Sequence, residues 1–260
     1  MLTSKTTMIE FLSRQETLKL NKVFAAHILE WQSRYRPHPD YLYRPDQEYY
    51  DPVQGVARYY SPEECKKLNS DQAQEYDRKR DKVEVISLDG LYAGQSIYVF
   101  KHDTIDNYIN HLANGFVGLA NKLMWESVIF LADYAEPWYE GDNDFPPLGN
   151  AIRYFKSIGT TETFSGGIKV SIDDLPVFLK NYFWFRRCYA SSPYHFFSSP
   201  GKNVVLSLCQ YGNIHFDYYS DEYKTEIEGH AKEIGMIKID RCFEPFSEKG
   251  AIEGRHMKLK

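Results

Sequence analysis

Four cysteines in 260 residues, none of them in a Cys-x-x-Cys pair, leave no zinc spacing and no disulfide framework to read. Cys65, Cys188, Cys209 and Cys242 stand far apart along the chain, and we expect no metal site and no cofactor. A basic excess is missing too. Lys and Arg number 31 against 36 Asp and Glu, a formal net charge of −5, whereas a dedicated nucleic-acid binder concentrates positive charge. The only dense basic runs are Arg78-Lys79-Arg80, flanked by Asp77 and Asp81, and Arg186-Arg187, and both read as solvated helix faces. The longest apolar stretch, residues 116–132, falls short of the ~20 residues of a membrane span. It also carries Lys122 and Glu126, so it reads as a buried core helix with no membrane partner. Residues 1–15 mix Lys5, Glu10 and Arg14 into the apolar positions and lack the apolar centre of a signal peptide. These absences together lead us to expect a reducing, cytoplasmic setting. Walker, Gly-x-Gly-x-x-Gly, Gly-x-Ser-x-Gly and His-Glu-x-x-His motifs are also absent.

Aromatic side chains are abundant: 21 Tyr, 16 Phe and 4 Trp make up 16% of the chain. Tyr and Trp give large contact area at low entropy cost and are enriched at binding surfaces, although the codon bias of an AT-rich genome produces the same excess. Hydrophobic residues at 43% and charged residues at 26% are ordinary for a globular chain. A chain of this length buries roughly 70% of its unfolded surface and needs no staple.

The pattern predicts an α+β protein. Leu20, Phe24, His27, Ile28 and Trp31 recur at helical spacing over 16–34. The stretch 36–60, rich in Tyr, Pro and Asp, reads as an irregular functional segment or arm. Ser61-Pro62-Glu63-Glu64 opens a mostly exposed helix to about 82, with a capping box. Strands are expected at 83–88 and 96–100, then a long helix from Asp103 or Thr104 to about 134, then a short helix ending at Gly159. In the C-terminal third we expect a strand at 167–170, a helix at 172–189, a hairpin of 204–211 and 214–219 about Gly212-Asn213, a helix capped by Ser220, and a strand at 236–243. That β-α-β-β-α-β order is the ferredoxin-like pattern. The expected organisation is a mostly helical N-terminal region with a small hairpin over 1–160, packed on a ferredoxin-like unit over 161–246, in one integrated globule. Residues 247–260 form a tail, in which Ile252-Glu253-Gly254-Arg255-His256-Met257 looks like a protease-cleavage linker followed by a cloning scar. The helix at 172–189 carries a second apolar stripe, Val177, Trp184 and Cys188, to be covered by the N-terminal region or by the second subunit of a homodimer.

Candidate chemistry is scattered. Asp51 followed by Glu64-Cys65-Lys66 matches the loose carboxylate and lysine spacing of metal-dependent nucleases. His102, Asp103, Asp106 and His111 gather where the long helix begins. His215 and Asp217 point to one side of their strand, and Phe216 and Tyr218 to the core side. His230 reads as a satisfied core histidine. The strongest feature is an acidic loop over 133–145, where Asp133, Glu136, Glu140, Asp142 and Asp144 alternate with Trp138, Tyr139 and Phe145. Charge there steers a basic partner and aromatics anchor it, so Glu136, Trp138, Tyr139, Glu140, Asp142, Asp144 and Phe145 are the expected partner-binding residues. The leading expectation is a non-catalytic, immunity- or inhibitor-like protein. It would neutralise or adapt a protein with a basic surface through this loop and the 41–60 segment. A metal-dependent phosphodiesterase or nuclease is the first alternative. The second is an RNA-binding or RNA-processing protein, which the acidic charge disfavours.

Overall fold

In the computed structural model, residues 8–101, 103–247 and 251–255 are described. The N-terminal elements are β1 (Ile9–Leu12), α1 (Arg14–Lys19), α2 (Lys22–Ser33), β2 (Glu48–Asp51), β3 (Val56–Tyr59), α3 (Pro62–Lys79), β4 (Gly94–Phe100), α4 (Ile105–Lys122), β5 (Ser127–Ala132) and α5 (Pro146–Ile158). There follow β6 (Gly167–Ser171), α6 (Leu175–Cys188), β7 (His195–Ser198), β8 (Val204–Leu208), β9 (Ile214–Tyr218), α7 (Asp221–Glu233) and β10 (Met236–Ile239). Eight of the strands form one sheet in the order β1-β6-β5-β7-β8-β9-β4-β10, antiparallel at every step. β2 and β3 form a separate two-stranded hairpin.

This architecture corrects the expected one. The 1–160 region is not mostly helical with a small hairpin, because β1, β4 and β5 are strands of the main sheet. Nor is 161–246 a ferredoxin-like unit: β6 pairs with β1 and β5, and β10 pairs with β4. The decisive strand is β5. All six of its residues are buried, and a continuous apolar run carries no period that separates strand from helix. The long helix predicted to 134 instead stops at Lys122, where Met124 takes φ 52° and reverses the chain. Residues 83–88, predicted as a strand, are irregular.

The two-residue period of β5 builds the layers. Val128 and Phe130 enter the larger core with α4, α5, α6 and α7, while Ile129 and Leu131 face the other way, against Phe24 and Ile28 of α2. Burying each such side chain contributes about 1.5–3 kcal/mol, so a strand covered on both faces belongs at the centre of the sheet. Asn21 interrupts the helix predicted over 16–34, capping α2 through Phe24 N–H at 3.0 Å and tying it to Lys202 O at 2.8 Å. The second stripe of α6 is unevenly covered: Cys188 is buried, Trp184 meets Phe145, and Val177 is exposed. The described part of the tail lies against the end of α6, where Arg255 donates to the carbonyls of Arg186 and Arg187. His256 lies outside the described residues.

Candidate functional site

α1 and α2 cover only part of their face of the sheet. Beyond α2, the β7–β8–β9–β4 surface stays open as a groove of about 800 Å³. Its floor carries Ser207, His215, Asp217 and Gln95, and its wall carries His27, Glu30 and Trp31 of α2 with Arg34 just after it. As the alternation on β9 requires, Phe216 and Tyr218 are buried beneath the helices on the opposite face, while His215 and Asp217 are half-buried on the groove side. His215 and Tyr194 also line a neighbouring cleft of about 550 Å³ with Asp133, Glu136 and Arg186.

Where groove and cleft meet, three chemically soft groups converge. Cys209 follows β8, His215 lies on β9 and Cys242 follows β10, and one ligand atom from each falls within 4.8 Å of the others. The two sulfurs are 3.8 Å apart, and Cys242 Sγ is 2.9 Å from His215 Nε2. Two thiolates at ordinary zinc–sulfur length on a tetrahedral ion stand about 3.8 Å apart, so the sulfur pair already has the spacing of a metal-bound pair. The Cys209 thiol is pushed down to about 5, chiefly by the hydrogen bond from Cys242, with burial opposing and His215 assisting. Cys242 moves in the opposite direction, because it holds the shared proton.

Local structure fixes the cluster. In the β8–β9 turn, Cys209 N–H donates to Asn213 O at 3.1 Å and Gly212 N–H to Cys209 O at 2.9 Å. Gly212 has φ +84°, and a Cβ there would lie 2.6 Å from Phe183, so no other residue fits without displacement. Asn213 Oδ1 accepts from Phe243 N–H at 3.2 Å, and Arg187 pairs with Glu244 at 2.8 Å with both side chains 5% exposed. Those contacts hold the segment carrying Cys242 against the turn. In the cleft, burial pushes the Asp133 carboxyl up to about 6, against the Tyr134 N–H and the charges of Arg186 and Arg14. Burial likewise raises Asp217 to about 6, and holds His27 down at about 3.

The residues singled out in the acidic loop are divided between core and surface. Trp138 and Tyr139 are 0% and 1% exposed, with Trp138 Nε1–H donating to Gly166 O at 3.0 Å, so neither ring is presented to a partner. Phe145 is half-buried and caps α5. Glu136 pairs with Lys79, Asp142 pairs with Lys156 at 2.8 Å, and Glu140, Asp142 and Asp144 are exposed. The nuclease-like triple does not converge on a metal position. Arg58 stands between Asp51 and Glu64, at 3.3 and 3.9 Å, and Glu64 is engaged in the Ser61 capping box. Lys66 is exposed on α3. At the start of α4, where Thr104 is the cap, Asp103 Oδ1 accepts from Thr104 N–H and from the Asn107 side-chain amide, Asp106 is exposed, and His111 meets Lys101 O. His102 lies outside the described residues. His230 is half-buried beside Glu233 at 3.3 Å.

The sequence reading missed the Cys209–His215–Cys242 cluster. A hairpin about Gly212-Asn213 already brings 209 and 215 together, but Cys242 joins them only because β10 pairs with β4 and its following segment returns to the turn. No described helix is long and apolar enough to cross a membrane. No family model, no curated protein and no solved structure matches this chain.

Proposed function

We propose that this chain is a metal-dependent enzyme of hydrolytic type, with a zinc ion held by Cys209, His215 and Cys242. The observation that carries the reading is the convergence of two sulfurs and one imidazole nitrogen within 4.8 Å at the junction of groove and cleft. Thiolate and imidazole donors select zinc among the common divalent ions. Three protein ligands leave the fourth position of a tetrahedral ion open, the arrangement of catalytic rather than structural zinc sites. A zinc so placed supplies an activated water. Asp133 lines the same cleft, and its carboxyl, raised by burial to about 6, is suited to exchanging protons near neutral pH. The test is metal content after zinc loading and dialysis. One zinc per chain is expected, falling to trace in Cys209→Ser and in Cys242→Ser and unchanged in Cys65→Ala. Equal zinc in wild type and both serine variants would sink the reading.

A second reading keeps the neutralising protein expected from the sequence, and the hairpin favours it. Tyr50, Val53, Val56 and Tyr59 of the β2–β3 arm, with Tyr41 before it, are 47–93% exposed. Such a surface suits docking on another protein. Deleting residues 48–59 would then abolish capture of a stoichiometric basic partner and leave zinc content intact. Capture that survives the deletion would count against the arm.

A further inference from the structure

The cleft beside the sulfur–imidazole cluster holds a cation with one edge to spare. Arg186 reaches it from α6, with only 7% of its surface exposed. Its Nε–H donates to Leu208 O at 3.4 Å, and its Nη1 donates to Ser192 Oγ at 2.9 Å and to Pro193 O at 2.8 Å. Leu208 immediately precedes Cys209, so the guanidinium is pinned next to the turn that carries the first of the three clustered groups. A guanidinium has five N–H donors, and the two on Nη2 donate to nothing among the described residues.

That free edge is not lost in the core. His195 Nε2, on the ring whose Nδ1 lies 3.4 Å from Arg186 Nη1, is unpaired and sealed, whereas Arg186 Nη2 is open to solvent. The opening is the cleft. Arg186, its partners Ser192 and Pro193, and the Tyr194 ring 5.3 Å from the guanidinium carbon all line that space.

The charge of Arg186 is also unanswered. Among the described residues no carboxylate forms an ion pair with it, and Asp133, in the same cleft, feels it only from beyond that range. A cation this deeply buried is ordinarily paired, because burial of a lone charge is costly. Its vacant donors therefore point to an anionic ligand, which a planar guanidinium binds through charge-assisted hydrogen bonds. The other charges of the cleft set the ligand's valence. Glu136 is answered by Lys79, and Arg255 spends its Nη1 on the carbonyls of Arg186 and Arg187. Two thiolates cancel a divalent zinc, so Arg186 and Arg255 against Asp133 leave one positive charge. That count suits a carboxylate and disfavours a phosphate dianion.

We infer that the cleft seats a carboxylate on the free Nη2 edge of Arg186, beside the proposed metal position, so that the substrates of this site are carboxylic acids rather than phosphate esters or neutral molecules. The seat itself stands on Arg186; that the bound acid is a substrate rests on the metal-dependent reading above.

The test compares 3-phenylpropanoate with 3-phenylpropanamide, the neutral molecule of nearly the same shape. Each is titrated by calorimetry at low salt into the wild-type protein, both zinc-free and zinc-loaded. The carboxylate is expected to bind at least about tenfold tighter than the amide in both samples, the worth of one charge-assisted hydrogen bond. Arg186→Met should erase that preference. Asp133→Asn removes the opposing charge and leaves the seat, so it should strengthen carboxylate binding severalfold, and it stays informative should the first variant fail to fold. Equal binding of carboxylate and amide, binding of neither, or no gain in Asp133→Asn overturns the inference. Tighter binding of inorganic phosphate than of the carboxylate overturns it as well. A preference present only with zinc puts the carboxylate on the metal and defeats the seat on Arg186. Zinc is counted in the loaded sample. Zinc without the carboxylate preference defeats this inference alone, and the preference without zinc defeats the metal reading alone.

Discussion

The sulfur of Cys242 lies 2.9 Å from Nε2 of His215, although 27 residues separate them in sequence. Neither residue's own strand neighbour explains the contact. It exists because β4 is inserted between β9 and β10, and because Asn213 and Glu244 draw the segment after β10 back across the β8–β9 turn.

The two sulfurs, proposed above as a ligand pair, also stand close enough to be joined by oxidation. At 3.8 Å, modest rotation of the side chains brings them to bonding distance. Diamide, taking up two electrons and two protons, should join Cys209 to Cys242 and prevent zinc uptake, and dithiothreitol should restore both thiols. Alkylation counting checks this under denaturing conditions: two fewer cysteines should react after diamide, and prior zinc loading should protect them. Oxidation that leaves zinc uptake unchanged would show that these sulfurs are not ligands.

The Arg187–Glu244 pair is expected to hold the proposed metal site as well as the fold. Replacing Arg187 by Met leaves a buried carboxylate uncompensated and should cost about 3–5 kcal/mol. Replacing both, Arg187→Met with Glu244→Leu, should restore most of the stability. Urea unfolding of the two variants measures the difference. Zinc affinity should also fall in the single variant, measured without denaturant at a temperature where it is still folded, because Cys242 lies two residues from Glu244.

Two buried groups drive stability in opposite directions with pH. His27 is held at about 3 in the folded protein, below its ordinary 6.5, by burial first and Arg34 second. The unfolded chain therefore binds the proton more readily, and stability falls as pH drops from 6.5 toward 3. Asp133 is raised from 3.8 to about 6 by burial. There the folded protein binds the proton more readily, so stability falls as pH rises from 3.8 through 6. Thermal melts across pH 3.5–7 should separate the two, in a window set by those values. His27→Leu should shrink the loss on the acid side, which buried His195 shares, and Asp133→Asn should shrink the loss on the neutral side, which Asp217 shares. Identical pH profiles in wild type and both variants would contradict the burial assigned to each.

Local chemistry was legible in the sequence where a cap or a turn marks it. The Ser61 and Ser220 caps and the Gly159 stop stand where the residues put them, because each depends on bonds within one turn. The sheet was not legible, because β5 and β7 are buried on every residue and have no alternation to show. The acidic loop illustrates a different limit. Its composition is that of a surface, but Trp138 and Tyr139 serve the core, packing against Phe155 and His195 and bonding Thr160. The groove side of β9 followed from alternation alone, through His215 and Asp217. Cys242, the third member of the cluster, depended on strand order, which no local signal encodes.

The most direct test of the central claim is the absorption spectrum of the cobalt(II)-substituted protein. Cobalt in a site of two thiolates, one imidazole and one water should give intense four-coordinate visible bands with sulfur-to-metal charge transfer. Azide should shift those bands by taking the open position, and Cys242→Ser should lose much of the charge transfer. A weak six-coordinate spectrum without sulfur bands would contradict the ligand set, and a four-coordinate spectrum indifferent to azide would contradict the open position.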